Sequence, residues 1–381
     1  MTPVIVDAVR TPFGRRNGWL STLHATELMG AVQKAVLQRT GVDADFVDQV
    51  IGGCVTPLGE QYGNVARSAW MHAGLPSASG VTAIDAQCGT ALQAVNLVAG
   101  QIAAGAVDVG IACGVEVMSR VSLTAKSGFG LGFPRPADWR FDMPDQYTAA
   151  DRIAALRGFS RERLDEFGLR SQQLAHEAWA AGKFDRHVIA LSAPTEPDRD
   201  VTTVVGRDQG LRDTSLEALA GLRPTKDGGL HTAGTSSQVS DGASAALLMS
   251  AQRAKALGIA PRARLRAQCV VGGDPEYMLD GPIDGAQRLL ERTGLGVRDF
   301  DLFEVNEAFA AIPMSFASVL GIDDTLLNVN GGAIALGHPA GATGIRLLAN
   351  VIDELERRDG ERAMIAICAS ASTTCTIVER L

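Results

Sequence analysis

The chain has 381 residues and a formal net charge of −8, and 46% of its residues are hydrophobic. The acidic balance argues against nucleic acid or an anionic membrane surface as a general partner. The sequence contains no run of about 18 apolar residues of the kind that spans a bilayer, and its first residues contain no apolar signal core. We therefore expect a globular protein of the cytoplasm with no nucleic-acid or membrane partner.

The cysteines are scattered along the chain. None forms a Cys-x-x-Cys pair or a cysteine–histidine cluster at zinc spacing, so the sequence predicts no metal site. In a reducing compartment they should be free thiols, most of them ordinary small core residues. They are Cys54, Cys88, Cys113, Cys269, Cys368 and Cys375.

Predicted strands and helices alternate through residues 1–118 and again after about residue 259, which is typical of an α/β fold. The stretch 119–237 holds Pro- and Gly-rich turns and a helical segment, which indicates an inserted loop domain with a binding surface. We therefore predict an N-terminal half (1–118 plus 238–258), the loop domain, and a C-terminal half (259–381).

A weak internal repeat indicates that the two halves are related. Residues 35–50 align without gaps on residues 288–303, with identities at five of sixteen positions. Each copy is predicted to be a helix that ends at a glycine, then a turn and a strand. At a similar offset, GIACG ending at Cys113 and Gly114 lies beside IAICA ending at Cys368. The shared order of elements favours a duplication.

The stretch AIDAQCGTALQAV, residues 83–95, places Cys88 between a buried strand predicted at 81–85 and a helix predicted at 89–104. A thiol at a helix N-terminus lies near unpaired N–H groups and the positive end of the helix dipole. These groups favour the thiolate, and they could hold a developing oxyanion. Cys88 is therefore a candidate nucleophile. The alternative is a core cysteine that falls at a strand–helix junction.

Two further stretches carry candidate catalytic side chains. In NVNGGAIALGHPAGATG, residues 328–344, five glycines surround His338 and would hold it on a rigid loop, as suits a general base for a thiol. The Walker and Gly-x-Gly-x-x-Gly patterns of phosphate-binding loops are absent. In DLFEVNEAFA, a strand delivers Asn306, which could cap the next helix or donate to an oxyanion. Considered without the other stretches, His338 could equally be a structural histidine that only forms hydrogen bonds.

Together with a run of small polar residues at 231–249, these stretches resemble the thiolase family. The motifs QCGTALQAV, HTAGTSSQVSDGA, EVNEAFA and NVNGGAIALGHPAGATG occur in the order and at the spacing of that family, across essentially the whole chain. Residues 15–37 look most like the actinobacterial steroid thiolases, which shorten sterol side chains. The resemblance implies an α/β thiolase fold: two similar mixed-sheet halves in five αβαβα layers, with a loop domain inserted in the first half.

The resemblance also implies catalytic roles. Cys88 would take the acyl group as a thioester, and His338 would deprotonate it. His338 would also help to hold the enolate oxygen of departing acetyl-CoA, together with a water anchored by Asn306. Cys368 would protonate the acetyl-CoA enolate and later take the proton of incoming coenzyme A.

The resemblance further implies that Ser237 and Arg223 contact the pantetheine and nucleotide parts of coenzyme A. Coenzyme A and acyl-CoA would be substrates, and no cofactor would be bound permanently. Arg223 would supply local positive charge against the acidic background. A homodimer or homotetramer is expected.

Two stretches depart from the family pattern. The family's second cysteine opens a glycine-rich run, but here CASASTTCTIVE follows with Ser370, Ala371 and Ser372 in place of glycines, and it is one residue short. A backbone donor to the oxyanion is expected from this loop, and removal of such a donor costs about 100- to 1000-fold in rate. At Gln146 and Tyr147, where many members have a Met-Gly pair, we expect altered acyl-chain specificity or a neutral surface change.

The leading hypothesis is therefore a thiolase that cleaves a 3-oxoacyl-CoA, with coenzyme A, to acetyl-CoA and a shortened acyl-CoA. This activity would serve the β-oxidation of lipid or sterol side chains. One alternative is a biosynthetic acetoacetyl-CoA thiolase. The other is a catalytically impaired CoA-binding relative, which rests on the altered loop after Cys368.

Overall fold

The computed structural model describes residues 1–125, 135–195, 201–369 and 372–381. Within them the strands are β1 Pro3–Arg10, β2 Gly14–Arg15, β3 Gln49–Gly53, β4 Gly80–Ile84, β5 Val109–Val117, β6 Leu191–Pro194, β7 Thr202–Val205, β8 Ser240–Ser250, β9 Ala263–Val271, β10 Leu302–Val305, β11 Arg362–Ile367 and β12 Thr373–Arg380. The helices are α1 Ala25–Thr40, α2 Val65–His72, α3 Thr90–Ala104, α4 Gln146–Leu156, α5 Arg161–Ala180, α6 Leu216–Ala220, α7 Ala251–Leu257, α8 Pro282–Thr293, α9 Ala311–Leu320, α10 Ala333–Leu336 and α11 Thr343–Arg358.

Each half contains a mixed sheet with the same strand order. In the first half the order is β4–β3–β5–β8–β1, parallel where β3 meets β4 and β5 and antiparallel elsewhere. In the second half it is β10–β11–β12–β9, parallel only between β10 and β11. A parallel bridge from Phe303 to Leu327 stands where the first half has β4. The two sheets join at β1 and β9 through only two residue pairs, Val4 with Arg264 and Ile5 with Ala263.

The helices complete five αβαβα layers, as the family resemblance implies. Buried apolar side chains of α1 and α2, such as Val32 and Trp70, pack on the outer face of the first sheet. The central helices α3 and α11 pack against each other between the two sheets, through residues such as Leu92 and Ile345. Helices α8 and α9 cover the outer face of the second sheet, where Phe316 is fully buried.

The predicted repeat is a structural repeat. Helices α1 and α8 end at Gly41 and Gly294, whose φ angles of 69° and 70° are left-handed and favour glycine. Asp48 accepts hydrogen bonds from the two backbone N–H groups of residues 108 and 109, and Asp301 does the same for residues 361 and 362. Each repeated aspartate thus fixes the start of the next strand of its sheet.

One part of the predicted alignment is wrong by two residues. Gly52 pairs with Cys113 in the first sheet, and Val305 pairs with Ala366 in the second. Gly52 corresponds to Val305 in the repeat, so their partners Cys113 and Ala366 correspond to each other. Cys368 lies two residues further along the chain than Ala366. Alternating small and apolar residues in both strands conceal the register in the sequence.

The predicted strand at 81–85 is present as β4, but it is not buried. It forms the outer edge of the first sheet, where Gly80, Thr82 and Ala83 are exposed. Its apolar composition is typical of a core strand, and the sequence does not reveal that β4 is the last strand of the sheet. In the described parts of the chain, no helix is long and apolar enough to cross a membrane.

Candidate active site

Cys88 lies in a tight turn between β4 and α3. The Gln87 backbone has a φ of 51°, a left-handed value that costs a non-glycine residue about 1–3 kcal/mol. The turn is held by the Ala86 N–H, which donates to Thr90 Oγ1 at 3.0 Å, and by the Thr90 hydroxyl, which donates to the Gln87 carbonyl at 2.6 Å. The Gln87 N–H donates to Asp85 Oδ1 at 2.8 Å. The thiol is therefore fixed just before the first turn of a central helix.

The surroundings of Cys88 favour the thiol form. Burial, and after it the negative charge of Glu116, raise its pKa to about 12. The expectation that the helix N-terminus favours the thiolate is therefore wrong for the resting state, because a helix dipole contributes only about 0.3–1 kcal/mol and desolvation outweighs it. Cys88 needs a base to become a nucleophile.

His338 lines the same cavity as Cys88 and has the chemistry of a base, and its neighbours fix its tautomer. The Thr343 hydroxyl donates to the Pro339 carbonyl at 3.0 Å, so it must accept the bond from His338 Nδ1 at 2.6 Å. The proton is thus on Nδ1, and Nε2 carries the lone pair that can accept a proton. Asn306 Nδ2 lies 3.5 Å from Nε2. Burial, with the charge of Arg346, lowers the pKa of His338 to about 3, so the imidazole is neutral.

Asn306 follows β10 and is fully buried. Its N–H donates to the Ala366 carbonyl at 3.0 Å, which anchors it to the neighbouring strand. It does not cap a helix, because α9 begins only at Ala311 after Ala310. Its Oδ1 has no hydrogen-bond partner among the residues that the structure describes. The amide is thus held beside His338 with one polar atom uncommitted.

Cys368 is buried at the end of β11. Burial raises the pKa of its thiol, and the charge of Cys88 raises it as well. The altered loop begins here. Its residues Ser370 and Ala371 lie outside the described residues, and β12 begins directly after Ser372.

A cavity of about 340 Å³ leads to these groups, and both Cys88 and His338 line it. Residues 236–239, from the small polar run that the sequence singled out, form one wall. Within that wall the Ser237 N–H donates to the Ala308 carbonyl at 2.9 Å. Arg223 is exposed and is not among the lining residues. The cavity instead has Arg16 in its lining, a residue that was not predicted to bind substrate although the sequence GRR at 14–16 contains a basic pair.

Gln146 and Tyr147, the residues that depart from the family pattern, also line the cavity. They begin α4, where Asp145 caps the helix by accepting bonds from the N–H groups of Tyr147 and Thr148. The Tyr147 ring packs edge-on against Phe309, with ring centroids 5.3 Å apart. The loop domain therefore contributes an aromatic wall to the cavity.

The site combines a protonated thiol, a neutral imidazole with an unprotonated nitrogen, a second buried thiol and an amide whose oxygen has no partner in the described residues. Such groups serve covalent acyl transfer through a cysteine thioester. Across the described residues, no cluster of three or more His, Cys, Asp or Glu side chains could hold a metal ion. Fold and site together thus define a thiol-dependent acyltransferase.

Comparison with known proteins identifies the family. Residues 3–252 match the family model for the thiolase N-terminal domain, and residues 259–380 match that for the thiolase C-terminal domain. The chain therefore belongs to the thiolase family.

Among its relatives, the steroid 3-ketoacyl-CoA thiolase FadA6 of Mycobacterium tuberculosis is 39% identical over 99% of this chain and 94% of its own. The 3-ketoacyl-CoA thiolase of Serratia proteamaculans is 40% identical over 99% of each chain. Two crystal structures have the same fold: the acetyl-CoA acetyltransferase of Bacillus anthracis (TM-score 0.90, 32% identity) and human mitochondrial 3-ketoacyl-CoA thiolase (TM-score 0.89, 31% identity). In both, the match covers 100% of this chain and 99% of the other.

Proposed function

We propose that this thiolase cleaves a 3-oxoacyl-CoA, with coenzyme A as the second substrate, to acetyl-CoA and an acyl-CoA shortened by two carbons. The observation that carries the proposal is that Cys88 and His338 line one cavity, while Asn306 Nδ2 lies 3.5 Å from His338 Nε2 and the charge of Cys88 acts on the pKa of the buried Cys368 thiol. Because each step is acyl or proton transfer, no permanently bound cofactor is required. The reaction belongs to the β-oxidation of lipid or sterol side chains.

In the first half-reaction His338 Nε2 takes the proton of Cys88, and the sulfur attacks the 3-oxo carbon. The bond between C2 and C3 then breaks, which leaves the acyl group on Cys88 and releases acetyl-CoA as its enolate. Asn306 and His338 lie together where they can stabilise that enolate oxygen, Asn306 by anchoring a water. The Cys368 thiol gives its proton to the enolate carbon, so acetyl-CoA leaves and a Cys368 thiolate remains.

In the second half-reaction the Cys368 thiolate takes the proton of incoming coenzyme A. The coenzyme A sulfur attacks the thioester, the shortened acyl-CoA leaves, and Cys88 recovers its proton from His338. The high resting pKa values of both thiols fit this cycle, because each thiolate exists only between two proton transfers.

For substrate binding, we propose that Ser237 and Arg16 contact the pantetheine and phosphate parts of coenzyme A at the cavity. Arg223 is exposed outside the cavity lining. We propose separately that it contacts the nucleotide part of coenzyme A. Arg16→Ala should raise the KM for coenzyme A and leave kcat little changed. The same rise in KM for Arg223→Ala would show that the nucleotide reaches Arg223. Steady-state kinetics with varied coenzyme A measures both effects.

We also propose that the protein is a homo-oligomer and that it lies in the cytoplasm. We further propose that the chain divides into the two halves and the loop domain at residues 118, 237 and 258. The open edge of β4 supports association, since exposed, uncharged edge strands pair readily with another strand. The six free cysteines support a reducing compartment. Light scattering coupled to gel filtration measures the mass, and a monomer at micromolar concentration would contradict the first proposal.

The experiment that tests the function follows loss of the 3-oxoacyl enolate absorbance during thiolysis by the purified protein. Two substrates are compared: acetoacetyl-CoA and a 3-oxoacyl-CoA that carries a sterol side chain. Faster cleavage of the bulky substrate supports the steroid assignment, and faster cleavage of acetoacetyl-CoA supports a short-chain thiolase. If neither is cleaved while coenzyme A still binds, the protein is the impaired relative.

Cys88→Ala should abolish thiolysis in the same assay, since the variant lacks the thiol that forms the thioester in the proposed mechanism. Cys54→Ala is the matched control, because Cys54 is buried in the first half and does not line the cavity. Full thiolysis by Cys88→Ala would exclude the mechanism.

A further inference from the structure

Two cysteines away from the active site face each other across neighbouring strands. Cys269 on β9 and Cys375 on β12 are direct partners in the antiparallel register. Directly opposed residues in such a pair have Cα atoms about 4.5–5.5 Å apart. This spacing lies within the range of about 4.4–6.8 Å that a disulfide spans.

Both sulfurs also point to the same face of the sheet. Cys269 Sγ lies 3.5 Å from the Gly285 carbonyl, to which its thiol donates. Cys375 Sγ occupies the space that a side chain at position 285 would fill, so only glycine fits there. The two thiols thus converge over one residue of α8, and a bond between them needs no change of strand register.

The two thiols differ in reactivity and access. Cys269 retains 8% of its surface and lies on a stretch of β9 beyond the two residues that pair with β1, whereas Cys375 is fully buried. The hydrogen bond from Cys375 lowers the pKa of Cys269, burial opposes this, and the charges of Arg288 and Arg292 lower it further. The same hydrogen bond and burial raise the pKa of Cys375. Cys269 is therefore the thiol that an external reagent meets first.

We propose that Cys269 and Cys375 form a reversible cross-strand disulfide by exchange with a low-molecular-weight disulfide. Cys269 attacks one sulfur of the reagent as a thiolate, which forms a mixed disulfide and releases one thiol. Cys375 then loses its proton and attacks the Cys269 sulfur, which releases the second thiol and closes the protein disulfide. The protein loses two electrons, which the reagent gains, and an added dithiol reverses both steps.

The pair is distinct from the catalytic thiols, but strand β12 connects them. Side chains alternate along a strand, so Thr374 points away from Cys375 and toward α3. Its Oγ1 lies 2.7 Å from the point that a β-carbon on Gly89, next to Cys88, would occupy. Closing the disulfide ties β12 to β9 at the residue after this contact, and so acts on the strand that supports the nucleophile's turn.

The test uses the full chain in its native state, incubated with glutathione disulfide, alkylated and digested with trypsin. The expected product links peptide 267–288, which contains Cys269, to peptide 363–380, and fragment ions assign the bond to Cys375 and not to Cys368. Dithiothreitol should restore both free peptides. This readout does not depend on thiolysis, so it stands apart from the test of the proposed function.

Single substitutions separate the role of Cys269, which attacks the reagent, from that of Cys375, which closes the protein disulfide. Cys375→Ala should stop at one glutathione on Cys269, and Cys269→Ala should leave Cys375 reduced and without an adduct. Cys54→Ala should still form the link. The proposal is overturned if native protein keeps both cysteines reduced, or if the only bond formed joins Cys88 to Cys368.

Discussion

His338 Nδ1 lies 2.6 Å from Thr343 Oγ1, and the Thr343 hydroxyl is itself committed to the Pro339 carbonyl. This relationship decides which imidazole nitrogen is unprotonated, because a hydroxyl has only one proton to give. A residue five positions after the histidine therefore sets which nitrogen of His338 can accept a proton.

The first prediction concerns this bond. Thr343→Val keeps the size and branching of the side chain but removes the acceptor, so the tautomer is no longer fixed and a buried N–H loses its partner. We expect kcat for thiolysis to fall about 10- to 100-fold, since a buried unpaired donor costs about 1–3 kcal/mol, with little change in KM. Thr343→Ser retains the hydroxyl and should keep most of the activity. Equal losses in both variants would contradict the role.

The second prediction concerns pH. Because the pKa of His338 is lowered to about 3, acylation of Cys88 in a single turnover should show no loss of rate between pH 8 and pH 5. A histidine of ordinary pKa, about 6.5, would lose its base function within that range. The same shift stabilises the fold above about pH 6.5, and this contribution is lost as the pH falls toward 3. A rate step near pH 6.5 would contradict the prediction.

The third prediction concerns Glu116. Its buried carboxylate accepts bonds from the Val55, Thr56 and Gly341 N–H groups and from the Gln61 amide. Glu116→Gln removes a negative charge that raises the pKa of Cys88.

We therefore expect the Cys88 of Glu116→Gln to react faster with iodoacetamide at pH 8, as measured by peptide mass spectrometry. The fold should lose about 1–3 kcal/mol of unfolding free energy, because one amide donor will face a backbone donor. Glu304→Gln is the control, since this equally buried carboxyl pairs with Arg346. A rate unchanged from wild type in Glu116→Gln would show that burial alone sets the pKa.

The fourth prediction concerns chain length. Tyr147→Ala removes the ring that packs on Phe309 and enlarges the cavity. We expect the ratio of kcat/KM for a bulky 3-oxoacyl-CoA over acetoacetyl-CoA to rise about 10-fold or more, as pocket contacts of this size discriminate by about 1–3 kcal/mol. Tyr147→Phe keeps the ring and should leave the ratio near that of wild type. If neither variant alters it, Tyr147 is a neutral surface change.

Much of this architecture could be predicted from the sequence. The alternation of strands and helices and the repeat at 35–50 and 288–303 indicated two related halves, and the glycine-rich loop marked His338. The sequence could not reveal that β4 ends the sheet, nor that the strand of Cys113 is shifted by two residues against that of Cys368, because both depend on pairing between distant segments.

The electrostatics of the site were also beyond the sequence. The helix start at Cys88 suggested a thiolate, but its pKa is set by the depth of burial and by Glu116, which is distant in sequence. Arg16 and Arg223 show the same limit. Both are arginines in loops, and only the folded chain distinguishes the one that lines the cavity.

The duplicated strand order has a consequence for how the enzyme can change. Cys88 precedes the central helix of one copy, and His338 precedes the central helix of the other, so neither copy contains a complete site. The two sheets are joined by two residue pairs between β1 and β9, which form the seam between the halves. Because α3 and α11 pack against each other, a small rotation at this seam would move one central helix against the other and change the distance from Cys88 to His338. Substitutions along the seam are thus a way to tune turnover without unfolding either half.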